Sequence, residues 1–282
     1  MRPLQPENIL PARNAIRAAS AAGVGAAVLA CSLIGCSTNP MQTNPAPLRI
    51  MTYNIHHGAG LDGKVDLLRS AELIQREGAD IVALQEVDKG VARTARRDLP
   101  AELAALTGMR CVFRNNFPYQ GGEYGNAVLT RFPVVRVTNT PYQRLRADEP
   151  RGLLQLVLNV QGRELVFMNT HLDYQTDDAE RWVNVGEIES VMTQYLDRPI
   201  ILCGDFNTTP DSRVCRRLGE RFDDTWALVG QGDGFTIPAQ QPNRRIDYIW
   251  VAKDKSLVPS KAWVPLSDAS DHLPVVAEFY FR

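Results

Sequence analysis

The sequence predicts one α/β domain with more than one layer of β-sheet, preceded by an N-terminal segment of different composition. Apolar strand-like runs alternate with amphipathic helical segments from residue 48 onward. Several neighbouring strand candidates are joined by short turns that contain Gly or Pro, which favours antiparallel hairpins. The sequence from residue 48 onward contains no internal repeat, long linker or low-complexity segment. Mixed strand order with interspersed helices therefore indicates a single layered domain.

The predicted strands are short apolar runs bounded by turn residues. Hairpins are indicated where Arg131-Phe132-Pro133 and Gln161-Gly162 separate two such runs. In chain order the predicted strands are Leu48–Tyr53, Ile81–Leu84, Ala127–Thr130, Val134–Val137, Leu153–Val160, Glu164–Thr170, Pro199–Cys203, Ile246–Val251 and Val275–Phe281.

The predicted helices carry apolar residues three to four positions apart. The longest runs from about Asp178 to Leu196, and Asp177 is a suitable N-cap. Short helices are expected over Pro100–Leu106 and near Ser212–Leu218. The first predicted helix, which ends before the turn at Gly78, has on one face Val65, Leu68, Ala71 and Ile74. The apolar face of the longest helix is formed by Trp182, Val185, Ile188, Met192 and Tyr195.

The N-terminal segment has the layout of a secretory signal. Three arginines within the first 17 residues precede an apolar, alanine-rich run from about residue 18 to residue 34. The run ends in Leu33-Ile34-Gly35-Cys36, which resembles the lipobox of bacterial lipoproteins, in which the cysteine is diacylated and becomes the first mature residue. A plain transmembrane anchor is the alternative, but the run is short and rich in Gly for that. Residues 37–47 are polar and rich in proline, as is typical of a flexible tether.

These features predict three regions. We expect a lipoprotein signal peptide over residues 1–35, a tether over residues 36–47 that begins with lipidated Cys36, and one domain over residues 48–282. Because Ser37 follows the cysteine, the resemblance to lipoproteins implies an exported envelope protein at the outer membrane, facing the periplasm or the surface. We expect the protein to be a monomer whose membrane contact is made through the anchor.

The charge balance limits the ways in which the protein could bind nucleic acid. The chain has 31 basic and 32 acidic residues, and the first 36 residues hold three arginines and one glutamate. The remainder therefore has a net charge near −3 at neutral pH. This charge argues against binding that depends mainly on phosphate neutralisation, although nucleic acid stays possible as a substrate.

Six short polar clusters stand where apolar strands end, the position at which a rigid scaffold commonly presents functional side chains. Any one cluster could be only a turn or a helix cap, but six in one domain indicate a site. Oxygen ligands of this kind suit Mg²⁺, with Mn²⁺ as a possible substitute. Zinc is disfavoured, because the four histidines show no ligand-like pairing on a helix. The clusters contain Asn54, Glu86, His171, Asp205, Asn207, Asp247, Asp271 and His272.

In their residues and their order along the chain, these clusters resemble the motifs of the endonuclease/exonuclease/phosphatase superfamily, which includes deoxyribonuclease-I-like nucleases. Gly204-Asp205-Phe206-Asn207 and Ser270-Asp271-His272-Leu273-Pro274 carry the resemblance most specifically, and it extends from about Leu48 to Phe281. The chain looks most similar to compact secreted bacterial members, which also resemble the hydrolase-like domain of GPI-anchor remodelling proteins. The resemblance implies a four-layer α/β sandwich, with two facing mixed β-sheets flanked by helices and the active site at one end.

The resemblance also implies a role for each residue of the clusters. Glu86 would be the primary Mg²⁺ ligand, helped by Asn54 and Asp271. His272 would bind the scissile phosphate or act as a general base, with Asp247 holding its ring. Asp205 would orient or deprotonate the attacking water, and Asn207 would donate its amide to a phosphate oxygen. His171 would act as a leaving-group acid or as a phosphate donor.

The sequence thus predicts a Mg²⁺-dependent phosphodiesterase or nuclease-like hydrolase that acts outside the cytoplasm. Its substrate could be a lipid head group, a nucleic acid or a smaller phosphoester. A covalent intermediate is not expected, since no G-x-S-x-G motif is present. A catalytically silent binding module on the same fold is the alternative, although every expected position is filled. His56 and His57 could touch substrate but are interpreted as loop residues. The basic patch of Lys89, Arg93, Arg96 and Arg97 is typical of solvated surface, although beside Glu86 it could attract an anionic substrate.

Overall fold

The computed structural model describes residues 46–253 and 256–282, and in these residues twelve β-strands form two sheets of six strands each. The predicted signal peptide and Cys36 lie outside the described residues. The strands are β1 (Leu48–Asn54), β2 (Ile81–Lys89), β3 (Arg110–Tyr119), β4 (Gly122–Thr130), β5 (Val134–Pro141), β6 (Gly152–Val160), β7 (Arg163–His171), β8 (Ile200–Asp205), β9 (Phe222–Asp224), β10 (Asp247–Ala252), β11 (Leu257–Trp263) and β12 (Val275–Phe281).

Five α-helices accompany the sheets in the described residues. None of these helices combines the length and the apolar character needed to cross a bilayer. The helices are α1 (Leu67–Glu77), α2 (Leu99–Thr107), α3 (Ala179–Met192), α4 (Arg213–Leu218) and α5 (Thr225–Val229).

The strand order brings the predicted site residues to one end of both sheets. The first sheet has the order β11-β12-β1-β2-β4-β3 and the second β5-β6-β7-β8-β10-β9. Each sheet has one parallel pair, β1 with β2 and β7 with β8. Parallel strands end at the same edge of a sheet, so Asn54 lies beside Gln85 and His171 beside Asp205. Strand β10 runs antiparallel to β8, and its first residue, Asp247, lies opposite Asp205.

Three apolar cores in the described residues separate four layers. Met51, Leu73 and Leu103 belong to the core between helices α1 and α2 and the first sheet. A second core lies between the two sheets and includes Phe167. A third contains Val185 and lies between the second sheet and helices α3 and α4. The four-layer sandwich predicted for the fold class is therefore confirmed.

Two predicted helical positions pack differently from expectation. The side of α1 that faces the sheet carries Leu67, Ala71 and Ile74, whereas Leu68 is 50% exposed. Trp182 is only partly buried, because the guanidinium groups of Arg213 and Arg217 lie over its ring at 4.8 Å and 4.6 Å. Cation–π contact, not burial in the core, thus accounts for the tryptophan on α3.

Asn169 on β7 links the two sheets next to the predicted site. Its amide nitrogen donates to the carbonyl oxygens of Leu84 at 2.9 Å and Ala127 at 2.8 Å, both in the first sheet. Its amide oxygen accepts a hydrogen bond of 2.7 Å from the Gln85 side chain. All four residues are buried, so every one of these polar groups depends on a protein partner.

Replacing Asn169 with alanine should lower the free energy of unfolding by about 3 kcal/mol. The change removes three buried hydrogen bonds, each worth about 1 kcal/mol, and leaves their partners unsatisfied. Urea unfolding followed by circular dichroism measures the loss. Asn243→Ala is the matched control, because Asn243 is exposed and should change the free energy by less than about 0.5 kcal/mol. Equal stabilities of the two variants would contradict the link described for Asn169.

Candidate functional site

A cavity of about 170 Å³ opens at the end of the sandwich where the parallel strands finish. A larger cavity of about 620 Å³ lies at the opposite end, where β1 begins at Leu48. The smaller cavity is the candidate site because the predicted catalytic residues surround it. Its polar lining consists of Glu86, Arg93, Glu149, Arg151, His171, Asp205, Asn207 and His272, and its aromatic lining consists of Phe117, Tyr119, Tyr124 and Tyr174.

Glu86 reaches the cavity because of an irregularity in β2. Leu84 pairs with Ala127 and Val87 with Gly125, so two residues of β2 stand opposite one residue of β4. Such a β-bulge turns a side chain away from the regular alternation. Glu86 has a left-handed φ of 59°, a conformation that costs a non-glycine residue about 1–3 kcal/mol. The strain lies at the residue predicted to bind the cation.

Asn54 connects two carboxylates of the site. Its amide nitrogen donates to Glu86 at 3.1 Å and to Asp205 at 3.0 Å, and its amide oxygen accepts from the backbone nitrogen of His56. The end of β1 is further tied to the loop before β12, since the Ser270 hydroxyl donates to the Asn54 carbonyl oxygen at 2.7 Å. Asn54 thus holds the two sheets' acidic groups in one place, a role that the sequence did not predict.

His272 forms a buried hydrogen-bonded pair with Asp247. Its Nδ1 lies 2.9 Å from Asp247 Oδ2, and its Nε2 lies 3.8 Å from Asp205 Oδ2. Burial alone would lower the pKa of His272, but the Asp247 carboxylate and its hydrogen bond, with Asp205, raise it to about 10. Burial, and then the Asp247 charge, raise the pKa of Asp205 to about 7, although His272 opposes this shift. The charges of this pair thus favour the protonated imidazole of His272, beside an Asp205 carboxyl group whose pKa is raised above its ordinary value.

His171 is held as a neutral imidazole by an arginine. Arg151 Nη1 lies 2.9 Å from His171 Nδ1, and since a guanidinium only donates, Nδ1 must be the acceptor. The ring proton is then on Nε2, which lies 3.5 Å from Asp205 Oδ2. Burial, with the neighbouring charges of Arg151 and His272, keeps the pKa of His171 well below its usual range. Of its two predicted roles, this geometry favours the hydrogen-bond donor over the leaving-group acid.

The remaining predicted residues flank this arrangement. Asn207 has a left-handed φ of 49°, and its backbone nitrogen donates to Asp205 Oδ1 at 2.9 Å. Its side-chain nitrogen gives one hydrogen bond to the Leu172 carbonyl oxygen, which leaves the second amide hydrogen for a ligand in the cavity. Asp271 is partly exposed, and its Oδ1 lies 3.7 Å from His56 Nδ1.

His56 and His57, interpreted as loop residues from the sequence, lie beside Glu86. One ring nitrogen of each histidine and one carboxylate oxygen of Glu86 all lie within 4.8 Å of one another. The Nδ1 atoms of both rings are buried and have no hydrogen-bond partner in the described part of the chain. Burial, with the charges of Arg93 and His56, lowers the pKa of His57 to about 4. The loop thus places two imidazole rings beside Glu86, where the sequence predicted only oxygen ligands.

Arg151 is a functional candidate that sequence reasoning missed, and Arg93 was considered only as a member of a basic patch. Arg93 is exposed, as expected for the basic patch, but it also forms two hydrogen bonds of 2.8 Å and 2.9 Å with fully buried Asp88 and lies over the rings of Tyr119 and Tyr124. Arg151 is only 3% exposed and is paired with Glu149 at 2.8 Å. Neither arginine stands in a polar cluster at the end of a strand, so the signal used for the other residues could not find them.

Within residues 46–253 and 256–282, two groups of side chains are close enough to be considered for a divalent cation. Asp205, Asp247 and His272 form the first, but this group is buried and hydrogen-bonded within itself, which suits proton handling. Glu86, His56 and His57 form the second group. In the described residues the Nδ1 atoms of both histidines lack a hydrogen-bond partner, and Asp271 is an acidic neighbour. The second group therefore fits a cation better than the first.

The comparison with known sequences decides the family. The family described as the endonuclease/exonuclease/phosphatase family matches residues 51–272, a range that contains every predicted site residue. The chain belongs to this family. Members of the family are hydrolases, and the family generally uses a divalent metal. The chain is assigned to this family as a hydrolase.

Individual relatives agree with the family assignment. Protein YbhP of Escherichia coli K12, which is uncharacterized, is 26% identical over 260 residues that cover 86% of this chain and 99% of YbhP. An endonuclease/exonuclease/phosphatase structure from Beutenbergia cavernae has a TM-score of 0.69 and 27% identity, covering 84% of this chain and 72% of that one. The mannosyl-6-phosphatase Bt3783 of Bacteroides thetaiotaomicron has the same fold, with a TM-score of 0.69, 18% identity, and coverage of 83% and 100%.

Proposed function

We propose that the protein is an exported, divalent-metal-dependent phosphoesterase that hydrolyses its substrate by in-line attack of an activated water molecule. The observation that carries this proposal is the gathering of Glu86, His171, Asp205, Asn207 and His272 around one cavity. A phosphoester resists hydrolysis because its negative charge repels the nucleophile. An enzyme must therefore neutralise that charge, position water in line and assist the leaving group.

The side chains cover these tasks without a covalent intermediate. A cation held by Glu86, with Asp271 and the adjacent histidines, would supply Lewis-acid stabilisation of the phosphoryl charge and of the leaving oxygen, which then takes its proton from solvent. Asp205 accepts the proton of the attacking water, and its position is set by Asn54 and Asn207. His272, oriented by Asp247, and the free amide hydrogen of Asn207 bind phosphoryl oxygens.

The lining of the cavity limits the substrate. A volume of about 170 Å³ is below the roughly 300–1,000 Å³ of sites that enclose drug-sized ligands, so the cavity admits a phosphoryl group and a small part of its ester. Arg93 and Arg151 add positive charge to the wall, which favours an anionic substrate. Both diesters and monoesters meet these conditions, and Bt3783 is by its name a phosphatase.

Hydrolysis of chromogenic esters tests the proposed function. We expect the purified protein to hydrolyse bis-p-nitrophenyl phosphate or p-nitrophenyl phosphate with an added divalent cation, and to lose at least 99% of this activity in excess EDTA. A panel of DNA, RNA, sphingomyelin, phosphatidylinositol and inositol phosphates then distinguishes the substrate classes. A folded protein that hydrolyses none of these compounds with Mg²⁺, Mn²⁺ or Zn²⁺ would instead support a binding module.

The proposed location is supported by the N-terminal sequence. If Cys36 is lipidated, Cys36→Ser should move the protein from the membrane fraction to the soluble fraction of the producing cells. The same substitution at a cysteine inside the domain, Cys111→Ser, is the control, because Cys111 lies in β3 and cannot carry the anchor. An unchanged distribution of the Cys36 variant, measured by immunoblotting after fractionation, would reject the lipid anchor.

A further inference from the structure

We propose that His56 and His57 complete the cation site of Glu86 and give it a preference for first-row transition cations, such as Mn²⁺ or Zn²⁺, over Mg²⁺. This inference rests on the proposed function, because it names the class of cation that the proposed active site would use. It changes the expectation drawn from the sequence, where oxygen ligands alone pointed to Mg²⁺ and where histidine pairing was sought only on helices.

The donor atoms come from three separate segments of the chain. Ring nitrogens of His56 and His57 and a Glu86 oxygen lie within 4.8 Å of one another, and Asp271 Oδ1 lies 3.7 Å from His56 Nδ1. Ligands of a tetrahedral cation with bonds of about 2.1 Å are about 3.4 Å apart, roughly 1.4 Å less than the 4.8 Å limit. Small side-chain adjustments therefore bring these atoms to ligand distance. Partial exposure of both histidines leaves a path for the ion and for water ligands.

The four histidines fall into two pairs, one whose Nδ1 atoms have a hydrogen-bond partner in the described residues and one whose Nδ1 atoms have none. His171 Nδ1 accepts from Arg151, and His272 Nδ1 is bonded to Asp247. The Nδ1 atoms of His56 and His57 are buried and have no hydrogen-bond partner in the described residues. A buried polar group without a partner costs about 1–3 kcal/mol. Coordination of a cation would remove this cost for both rings.

The backbone conformation keeps both rings on the same side of the loop. His56, His57 and Gly58 have successive left-handed φ values of 44°, 46° and 81°. The two imidazole rings lie 4.4 Å apart at an angle of 70°. Strain of this kind persists where the surroundings enforce it, and it is concentrated at functional sites. Glu86, the third donor, is left-handed as well, so all three donors are held in strained conformations.

The charge and chemistry of the donor set favour the transition series. Glu86 and Asp271 supply negative charge, and Asp88, which accepts two hydrogen bonds from the nearby Arg93, offsets part of the charge of that guanidinium. Mg²⁺ prefers oxygen ligands and retains its water, whereas imidazole nitrogen binds first-row transition cations more strongly. Two imidazoles in one site therefore raise the affinity for the transition cation and add little for Mg²⁺.

Two measurements on the full-length chain, stripped of metal with a chelator, test the proposal without substrate. Isothermal titration calorimetry with Mn²⁺ and with Mg²⁺ gives the two affinities, and we expect Mn²⁺ to bind at least tenfold more tightly. Pulsed electron paramagnetic resonance of the Mn²⁺-loaded protein should show coupling to ¹⁴N nuclei of imidazole. The second measurement requires no variant, so it stands even if substitutions in the loop impair folding.

Asparagine replacements remove the nitrogens and preserve the loop. Asn tolerates left-handed φ values, so the His56→Asn/His57→Asn double variant should fold while it presents amide oxygens in place of ring nitrogens. We expect its Mn²⁺ affinity to fall at least tenfold and its Mg²⁺ affinity to change less than threefold. Lys64→Ala, an exposed position in the same loop, is the control and should change neither affinity.

The outcomes separate this proposal from the proposed function. Absence of ¹⁴N coupling, or an unchanged ratio of Mn²⁺ to Mg²⁺ affinity in the folded double variant, would overturn the role of the histidines. Hydrolysis supported by Mg²⁺ in that case would leave the proposed function intact. Conversely, nitrogen-coordinated Mn²⁺ in a protein without hydrolytic activity would support the cation site and count against the phosphoesterase.

Discussion

Glu86→Gln should reduce the turnover of a phosphoester substrate by at least a thousandfold while the protein stays folded. The substitution keeps a side-chain oxygen that can accept the hydrogen bond from Asn54, so the link that Asn54 makes between position 86 and Asp205 is preserved. It removes the negative charge that we assign to the cation. A bound cation contributes several kcal/mol of charge stabilisation, and about 4 kcal/mol corresponds to a thousandfold in rate.

Steady-state kinetics at saturating cation concentration measures this loss, and circular dichroism verifies the fold. Glu123→Gln is the matched control, because Glu123 lies on neighbouring β4 and accepts a hydrogen bond from Asn115, outside the cavity. It should retain turnover within about threefold. Comparable activity of the two variants would refute the assignment of Glu86.

His272→Ala and Asp247→Asn should each lower kcat by about a thousandfold or more, and the double variant should be no slower than His272→Ala. Asp247 contacts the ring of His272 at 2.9 Å and does not line the cavity, so it acts as a positioning residue through the histidine. The carboxylate holds the imidazole in one orientation and one protonation state. Replacement of the equivalent aspartate in the serine-protease triad costs about 10⁴ in kcat, which sets the scale.

A double-mutant cycle separates this linkage from two independent effects. Non-additive losses in kcat, with KM changing less than about threefold in Asp247→Asn, are the expected result. Additive losses would mean that Asp247 contributes through some other contact, because its effect would then survive the removal of His272.

The inner strands of the two sheets were easier to predict from the sequence than the edge strands. All nine predicted strands are present, among them the two parallel pairs whose ends carry the site. The three strands that were missed, β3, β9 and β11, each stand at the edge of a sheet. Edge strands are buried on fewer sides, and their sequences show this: β3 carries Arg114 and Asn115, and Pro118 and Pro259 interrupt the runs of β3 and β11. An apolar pattern is weak where only part of a strand is covered.

The site residues that stand at the ends of strands were predictable from the sequence. Those that reach the site through a loop or through contacts formed only in the folded chain were not. Asn54, His171 and Asp205 end strands that the apolar pattern reveals, and the parallel pairing brings them together. Arg151 directly precedes β6, and it contacts His171 at the end of β7 only because these two strands are neighbours in the second sheet. The pairing of His56 with His57 depends on left-handed backbone angles, which a helical spacing rule cannot detect. The roles of the individual residues stay predictions.

A crystal structure of the protein with Mn²⁺ and inorganic phosphate most directly tests whether these side chains serve one reaction centre. We expect one phosphate in the cavity, within hydrogen-bond distance of Asn207 Nδ2 and His272 Nε2, and one cation bonded to Glu86 on the adjacent side. A structure in which Glu86, Asp205 and His272 point into separate regions, with phosphate and cation bound elsewhere, would contradict it.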